Sequence, residues 1–327
     1  MRYPATEKLE IIRLVEQSDL SVRLTLEHLG TPRSTFYQWY DRYQEQGFDG
    51  LEDKPSAPPK VWNRIPEQRR DQILELALGE PDLSPREIAV RFTDRRSYYV
   101  SESTVYRILK ENDLITSPAF ILMKAADRFQ NPTTAPNQLW QTDFTYLKVI
   151  GWGWFYLSTV IDDFSRHIIA WRLCTSMTAQ DVTDTLDLAL QQSGLAFSDI
   201  KHRPRLLSDN GSCYVASDLA DYLRDQKMTH TRGRPYHSMT QGKIERWHRS
   251  LKSCITLEHY YLPGDLKAAI GRFVHYYNTR RYHESLNNLT PRDVYFGTGQ
   301  AILERRQQIK LKTIQQRRAL HQNAKAA

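Results

Sequence analysis

Two periods of apolar residues divide the chain. Over residues 7–16, Leu9, Ile12 and Val15 recur at helical spacing, and residues 21–29 read as a second helix stopped by Gly30. Thr31 and Pro32 offer an N-cap and a first-turn proline to a third helix that runs to about Tyr43, with Phe36, Trp39, Tyr40 and Tyr43 as its apolar stripe. Residues 53–64 are a Pro-rich linker. The helical period then resumes over residues 66–78. Ser84 and Pro85 cap a helix bearing Ile88, Ala89 and Phe92, and residues 101–112 turn Val105, Ile108 and Leu109 inward. Residues 116–136 have no clear period and read as a second linker.

The period shortens at Gln141. The stretch from Gln141 to Trp171 holds three runs of Thr, Tyr, Phe, Val and Ile, separated by Gly151–Gly153 and by Asp163–Ser165, which predicts an antiparallel meander of three strands. Asp143 lies within the first of them. A carboxylate there needs a partner, through an edge position, a salt bridge or a site that uses its charge. Arg205–Ser208 reads as a short strand ending at Asp209, ahead of an Asn210-Gly211 turn. Residues 178–192 and 215–226 predict helices, with Asp181, Asp184 and Asp187 on a solvated face of the first. Residues 228–231 predict a short strand.

Residues 241–252 form a helix with two stripes. Ile244, Trp247 and Leu251 would pack on the sheet, while Gln241, Glu245, Arg249 and Lys252 share a neighbouring face. Glu245 could serve as an i,i+4 surface partner of Arg249 or as a carboxylate offered to a phosphate.

Composition narrows the classes. The chain has 327 residues and a formal charge of +7, enough length for two or three domains. Lys and Arg number 19 against 21 acids in residues 1–135, 19 against 16 in 136–297, and 7 against 1 in 298–327, so the C-terminal tail carries most of the excess. That tail suits either a charged helix or a disordered arm, with non-specific phosphate contacts open to it. Cys174, Cys213 and Cys254 show no disulfide or zinc spacing, and no run of about 18 apolar residues or signal-peptide core exists. The expectation is a cytoplasmic, nucleoid-associated protein.

These residues resemble a known family. Asp143, Asp209 and Glu245, with 35 residues between the last two, are similar to the DDE triad of insertion-sequence transposases and retroviral integrases. The flanking words agree: Thr142-Asp143-Phe144-Thr145, Val160 to Arg166, Ser208-Asp209-Asn210-Gly211 and Gln241 to Arg246. Lys252 stands where such enzymes often carry a basic residue two turns along the helix. Tyr277-Asn278, Arg281, His283, Leu286 and Thr290-Pro291 resemble the family's closing segment. Residues 231–238 resemble its active-site loop.

The resemblance implies an all-α N-terminal helix-turn-helix region followed by an α/β, RNase H-like, mixed-sheet catalytic domain. The expected units are 1–52 and 65–115 as helix-turn-helix domains, 137–297 as the catalytic core and 298–327 as a basic tail. It also implies two Mg²⁺ or Mn²⁺ ions held by Asp143, Asp209 and Glu245 for phosphodiester cleavage and strand transfer. Partners would be double-stranded DNA, at element ends and target, and further copies of the chain. Arg33, Ser34, Thr35 and Gln38 of the first head and Thr104 and Arg107 of the second, with Arg249 and Lys252, are the expected DNA contacts. A DNA-binding regulator descended from such an enzyme is the alternative. Asp162 and Asp163 form a further acidic pair, read as caps of the turn before Ser165 rather than as metal ligands.

Overall fold

In the computed structural model, residues 3–18, 20–52, 62–115, 133–197, 203–233 and 242–326 are described. The chain falls into two compact units, residues 1–64 and 65–327.

The first unit packs three helices, α1 (Ala5–Gln17), α2 (Val22–His28) and α3 (Arg33–Gln46), around Ile12, Leu26, Phe36, Trp39 and Leu51. The start of α3 falls one residue later than expected. Pro32 is its N-cap and donates nothing, while Thr31 is buried and turns its hydroxyl back to the Leu29 carbonyl. Arg33, Ser34 and Gln38 are exposed, and Thr35 is half-buried. That surface suits a recognition helix.

The second unit opens with another trihelical cluster: α4 (Glu67–Gly79), α5 (Pro85–Arg96) and α6 (Glu102–Glu111). Ser84 closes a full capping box with Glu87, and Ile73, Ile88, Phe92, Val105 and Ile108 fill the core. On α6, Arg107 is exposed, whereas the half-buried Thr104 shares its hydroxyl with Ser101 at 2.8 Å.

The sheet follows as β1 (Leu139–Val149), β2 (Gly153–Asp162), β3 (Ile168–Cys174), β4 (Arg205–Ser208) and β5 (His230–Arg232), in the order β3-β2-β1-β4-β5. The first three strands run antiparallel, and β4 joins β1 in parallel, as β5 does β4. Helices α7 (Ala179–Gln192), α8 (Ser212–Val215) and α9 (Ser217–Asp225) cover one face. Helices α10 (Gly242–Ile255) and α11 (Pro263–Thr279) cover the other. This is the RNase H-like arrangement. The single helix expected over 215–226 is broken at Ala216, which is extended (φ −59°, ψ 141°). The acids of α7 have structural work: Asp181 caps with Thr178, Asp184 pairs with Arg172, and Asp187 accepts from the Tyr222 hydroxyl at 2.6 Å.

Strand β3 is the sheet edge, and one side chain completes its ladder. Asn278 of α11 accepts from the Ile168 N–H and donates to the Ile168 carbonyl, both at 3.0 Å. Beside it His167 stacks on Tyr295 of α12 (Pro291–Tyr295), at 4.7 Å and 18°.

The tail takes the first of the two expected forms. Residues Gly299–Ala326 form one helix, α13, which lies back along the second trihelical cluster. Arg306 grips both oxygens of Asp94 (2.8 and 2.6 Å), the Thr313 hydroxyl accepts from the Tyr99 N–H, and the buried Arg317 donates to the Tyr98 hydroxyl and the Tyr99 carbonyl. Arg86 reaches Asn288 and Arg91 reaches the Arg280 carbonyl, joining the same cluster to the end of the sheet domain. Part of the tail's positive charge is therefore spent inside the protein.

Burial holds the His167 imidazole down to about 4 and that of His283 to about 3, so both are neutral in the folded chain at pH 7. The unfolded chain binds protons first, near pH 6.5. Stability is thus complete above that value and is lost as pH falls toward 4, with a slope of up to ~1.4 kcal/mol per pH unit for each histidine. Thermal melts from pH 7.5 to 4.5 should show this decline, and His167→Gln should flatten it; an identical slope in that variant would remove His167 from the account.

Candidate active site

Parallel pairing sets two acids level. Gln141 of β1 is in register with Leu207 of β4, and two residues further on come Asp143, still in β1, and Asp209, one residue past the end of β4. Adjacent strands are about 4.8 Å apart, and β4 stops at Ser208, which leaves Asp209 exposed on the turn where the sheet opens. Each aspartate is steadied by a backbone donor: Asp143 Oδ1 accepts from the Phe144 N–H at 2.8 Å, and Asp209 Oδ1 from the Gly211 N–H at 2.9 Å. A Cβ on Gly211 would stand 3.1 Å from that oxygen, tight enough to push the carboxylate aside. Both charges reach Cys213 and Tyr214, whose protons are held more firmly by burial first and by the two carboxylates in addition.

Glu245 is exposed in the first turn of α10. Its helix is anchored one turn later by His248, whose Nδ1 lies 3.5 Å from Asp143 Oδ2. The His248 ring is buried, and its Nε2 has no hydrogen-bond partner among the described residues. Sequence reasoning missed His248. Its place at i+3 from Glu245, between the two stripes, is the signal that could have found it. Ile244, Trp247 and Leu251 are buried as expected, Trp247 lying edge-on to Tyr277 at 4.6 Å.

The Asp162–Asp163 pair needs correction. Asp162 alone caps the turn: it accepts from the Ser165 N–H (2.8 Å) and hydroxyl (2.6 Å), and from the Asn137 N–H (2.7 Å), while burial pushes its carboxyl above the usual range. Asp163 turns instead toward α10. It pairs with Lys243 Nζ at 2.9 Å and accepts from Gln141 Nε2 and the Thr133 hydroxyl. The amide oxygen of Gln141 in turn receives the Ile244 N–H at 3.3 Å. The helix bearing Glu245 is therefore pinned to β1 at two points, at Gln141 through the Ile244 N–H and at Asp143 through His248.

Arg249 is exposed, and Lys252 is half-buried with its ammonium 4.2 Å from the centre of the Tyr146 ring. Gln241 and residues 234–238 lie outside the described residues. Among the described residues no group of three or more His, Cys, Asp or Glu side chains could hold a metal ion, so the three acids do not close into one cluster. No helix among the described residues is long and apolar enough to cross a membrane.

Residues 133–238 and 226–291 each match an Integrase core domain family. This region is an integrase core domain. Ahead of the core, residues 7–60 match a Helix-turn-helix domain and 35–109 a Homeodomain-like domain. The chain is similar to the transposase InsF for insertion sequence IS3fB of Escherichia coli (strain K12), 31% identical over 160 residues, and to the putative transposase InsK for insertion sequence element IS150 of the same organism, 30% over 159. Each alignment covers 48% of this chain and 54% of the relative, so the chain spans about half the length of the curated relatives it matches. Among solved structures it is similar to the HTLV-2 integrase catalytic core (TM-score 0.40, 19% identity, 49% of this chain and 97% of that one). It is also similar to a chain of the simian T-cell lymphotropic virus intasome (TM-score 0.44, 20% identity, 60% and 67%).

Proposed function

We propose that the chain is the transposase of an insertion sequence, binding the terminal inverted repeats and catalysing DNA cleavage and strand transfer. One observation carries this reading. Asp143 on β1 and Asp209 just past the end of β4 each follow a paired position of two parallel strands by two residues, and the helix of Glu245 is fastened to β1. Carboxylate oxygens are the donors that Mg²⁺ and Mn²⁺ prefer, and Asp143, Asp209 and Glu245 would hold two such ions. Such ions, if bound there, would supply Lewis acidity for displacement at phosphorus.

The chain's own part is placement. The Phe144 and Gly211 amides fix the two aspartates, and the Gln141 and Lys243 contacts fix the first turn of α10. Arg249 and Lys252 neutralise phosphates beside the cut. In the first step water attacks phosphorus and the P–O bond to the 3′ oxygen breaks, freeing a 3′ hydroxyl. In the second that hydroxyl attacks a target phosphate, displaces another 3′ oxygen and leaves the strands joined. Arg33, Ser34, Thr35 and Gln38, with Thr104 and Arg107, contact the element ends, and several copies assemble there.

The test is direct. Full-length protein with a duplex carrying the terminal repeats should nick at the 3′ end and join it to a second duplex when Mg²⁺ is supplied, and should do neither in EDTA. Binding to those ends without either reaction, at any Mg²⁺ or Mn²⁺ concentration, would favour the regulator.

A further inference from the structure

The hairpin of β1 and β2 projects past the candidate site and carries large aromatic side chains in the open. Tyr146 is 57% exposed and Trp154 53%. Lys148 pairs with Trp154 across the two strands and Tyr146 with Tyr156, so Tyr146 and Trp154 are diagonal neighbours on one face. Their rings meet edge to face at 5.3 Å. A lysine sits over each ring: Lys252 at 4.2 Å from Tyr146, and Lys148 at 5.9 Å from Trp154. The hairpin is stiff, because its ladder is unbroken from Trp140–Asp162 to Val149–Gly153 and the Ile150 N–H donates to the Tyr260 carbonyl at 2.9 Å.

We propose that Tyr146 and Trp154, with Lys148 and Lys252, form a stacking platform for unpaired DNA bases beside the candidate active site. The proposal rests on the DNA-processing reading above. Aromatic faces interleaved with cations are what single strands require, because each base offers a π-face and each nucleotide a phosphate. A closed duplex keeps its bases stacked on one another; a strand freed by cutting does not.

Two measures of length place the platform. Tyr146 is three residues along β1 from Asp143, about 10 Å along the strand and on the opposite side of its pleat, so the platform lies past the acids rather than on their face. Lys252 is seven residues along α10 from Glu245, again about 10 Å. Strand and helix thus carry the two acids at one end and meet in the Lys252–Tyr146 contact at the other, about three phosphates away on a B-form strand.

Charge decides between a nucleic acid and a second copy of the chain. No acidic residue occurs between Phe144 and Ile161. Two such faces brought together would oppose lysine to lysine, which disfavours pairing, whereas phosphate complements both.

The test uses the full chain in EDTA, with labelled oligothymidylate as the probe, and reads anisotropy and intrinsic fluorescence at fixed salt. Trp154→Ala and Tyr146→Ala should each weaken oligothymidylate binding at least about fivefold, the factor matching ~1 kcal/mol per stacked base. Duplex binding and the melting temperature should stay as in wild type, since both side chains are exposed. Trp154→Phe should retain affinity and lose part of the quenching. Unchanged oligothymidylate affinity in both alanine variants would overturn the proposal, as would unchanged affinity with loss of self-association in sedimentation, which would assign the face to contact between copies. Asp143→Asn keeps the two readings apart. It should leave oligothymidylate binding intact, and if it still cuts DNA, the metal-site assignment fails while the platform stands.

Discussion

Asp143→Asn, Asp209→Asn and Glu245→Gln are each expected to lower cleavage and joining by more than ~10²-fold while leaving binding to element ends unchanged. The size follows from the charge each removes: even a hydrogen-bonding partner behind a metal ligand is worth ~10–100-fold, and a ligand should exceed that. Asp143 and Asp209 stand level on β1 and the end of β4, so either amide would leave one carboxylate to face divalent cation. Glu245 tests something different, because it comes from a helix rather than the sheet and the three acids do not form one cluster among the described residues. A gel assay of nicked and joined products, with band shifts on the same ends, separates chemistry from binding. Near wild-type nicking in Glu245→Gln would remove it from the site, even if both aspartate variants were dead.

The second large effect belongs to Asp163. Asp163→Ala should destabilise the second unit by about 3 kcal/mol, the low end of the ~3–5 kcal/mol typical when one partner of a buried pair is lost. The low end applies because Lys243 keeps a second acceptor, the Asp163 carbonyl, at 2.8 Å. Gln141 and Thr133 would lose their acceptor as well. Activity should fall with stability, since the turn bearing Glu245 is held through this pair. Replacing Lys243 by Met in the Asp163→Ala background should recover part of the melting temperature by removing the unpaired charge. A stable Asp163→Ala protein with no activity would make Asp163 a ligand rather than a tie.

What was legible in the chain follows from what each signal depends on. The meander of β1, β2 and β3 was readable because β-branched runs and Gly turns are local. The packing stripe of Ile244, Trp247 and Leu251 was readable because a helix repeats it. Asp163 and His248 were not readable, because their meaning lies in partners 80 and 105 residues away, Lys243 and Asp143. A turn-forming Asp pair gives the same local signal whether one or both members cap, and only the fold shows that Asp163 faces α10. The docking of the tail helix was unreadable for a related reason: nothing local in its arginines names Asp94, Tyr98 and Tyr99 as their partners. Level placement of Asp143 and Asp209 needed the β1–β4 register, which no single segment encodes.

Helix α13 turns a distance into something the protein can measure. Because Arg306, Thr313 and Arg317 lash the second trihelical cluster to the sheet domain, DNA held on α6 and the phosphate offered to the acids would meet one fixed gauge rather than two independent hands. A duplex turns once in about 10 base pairs. Adding about five between the bound segment and the cut would carry the scissile phosphate to the far side of the helix, whereas adding about ten would restore its phase and only lengthen the span. An element end would then be defined by spacing as much as by its bases.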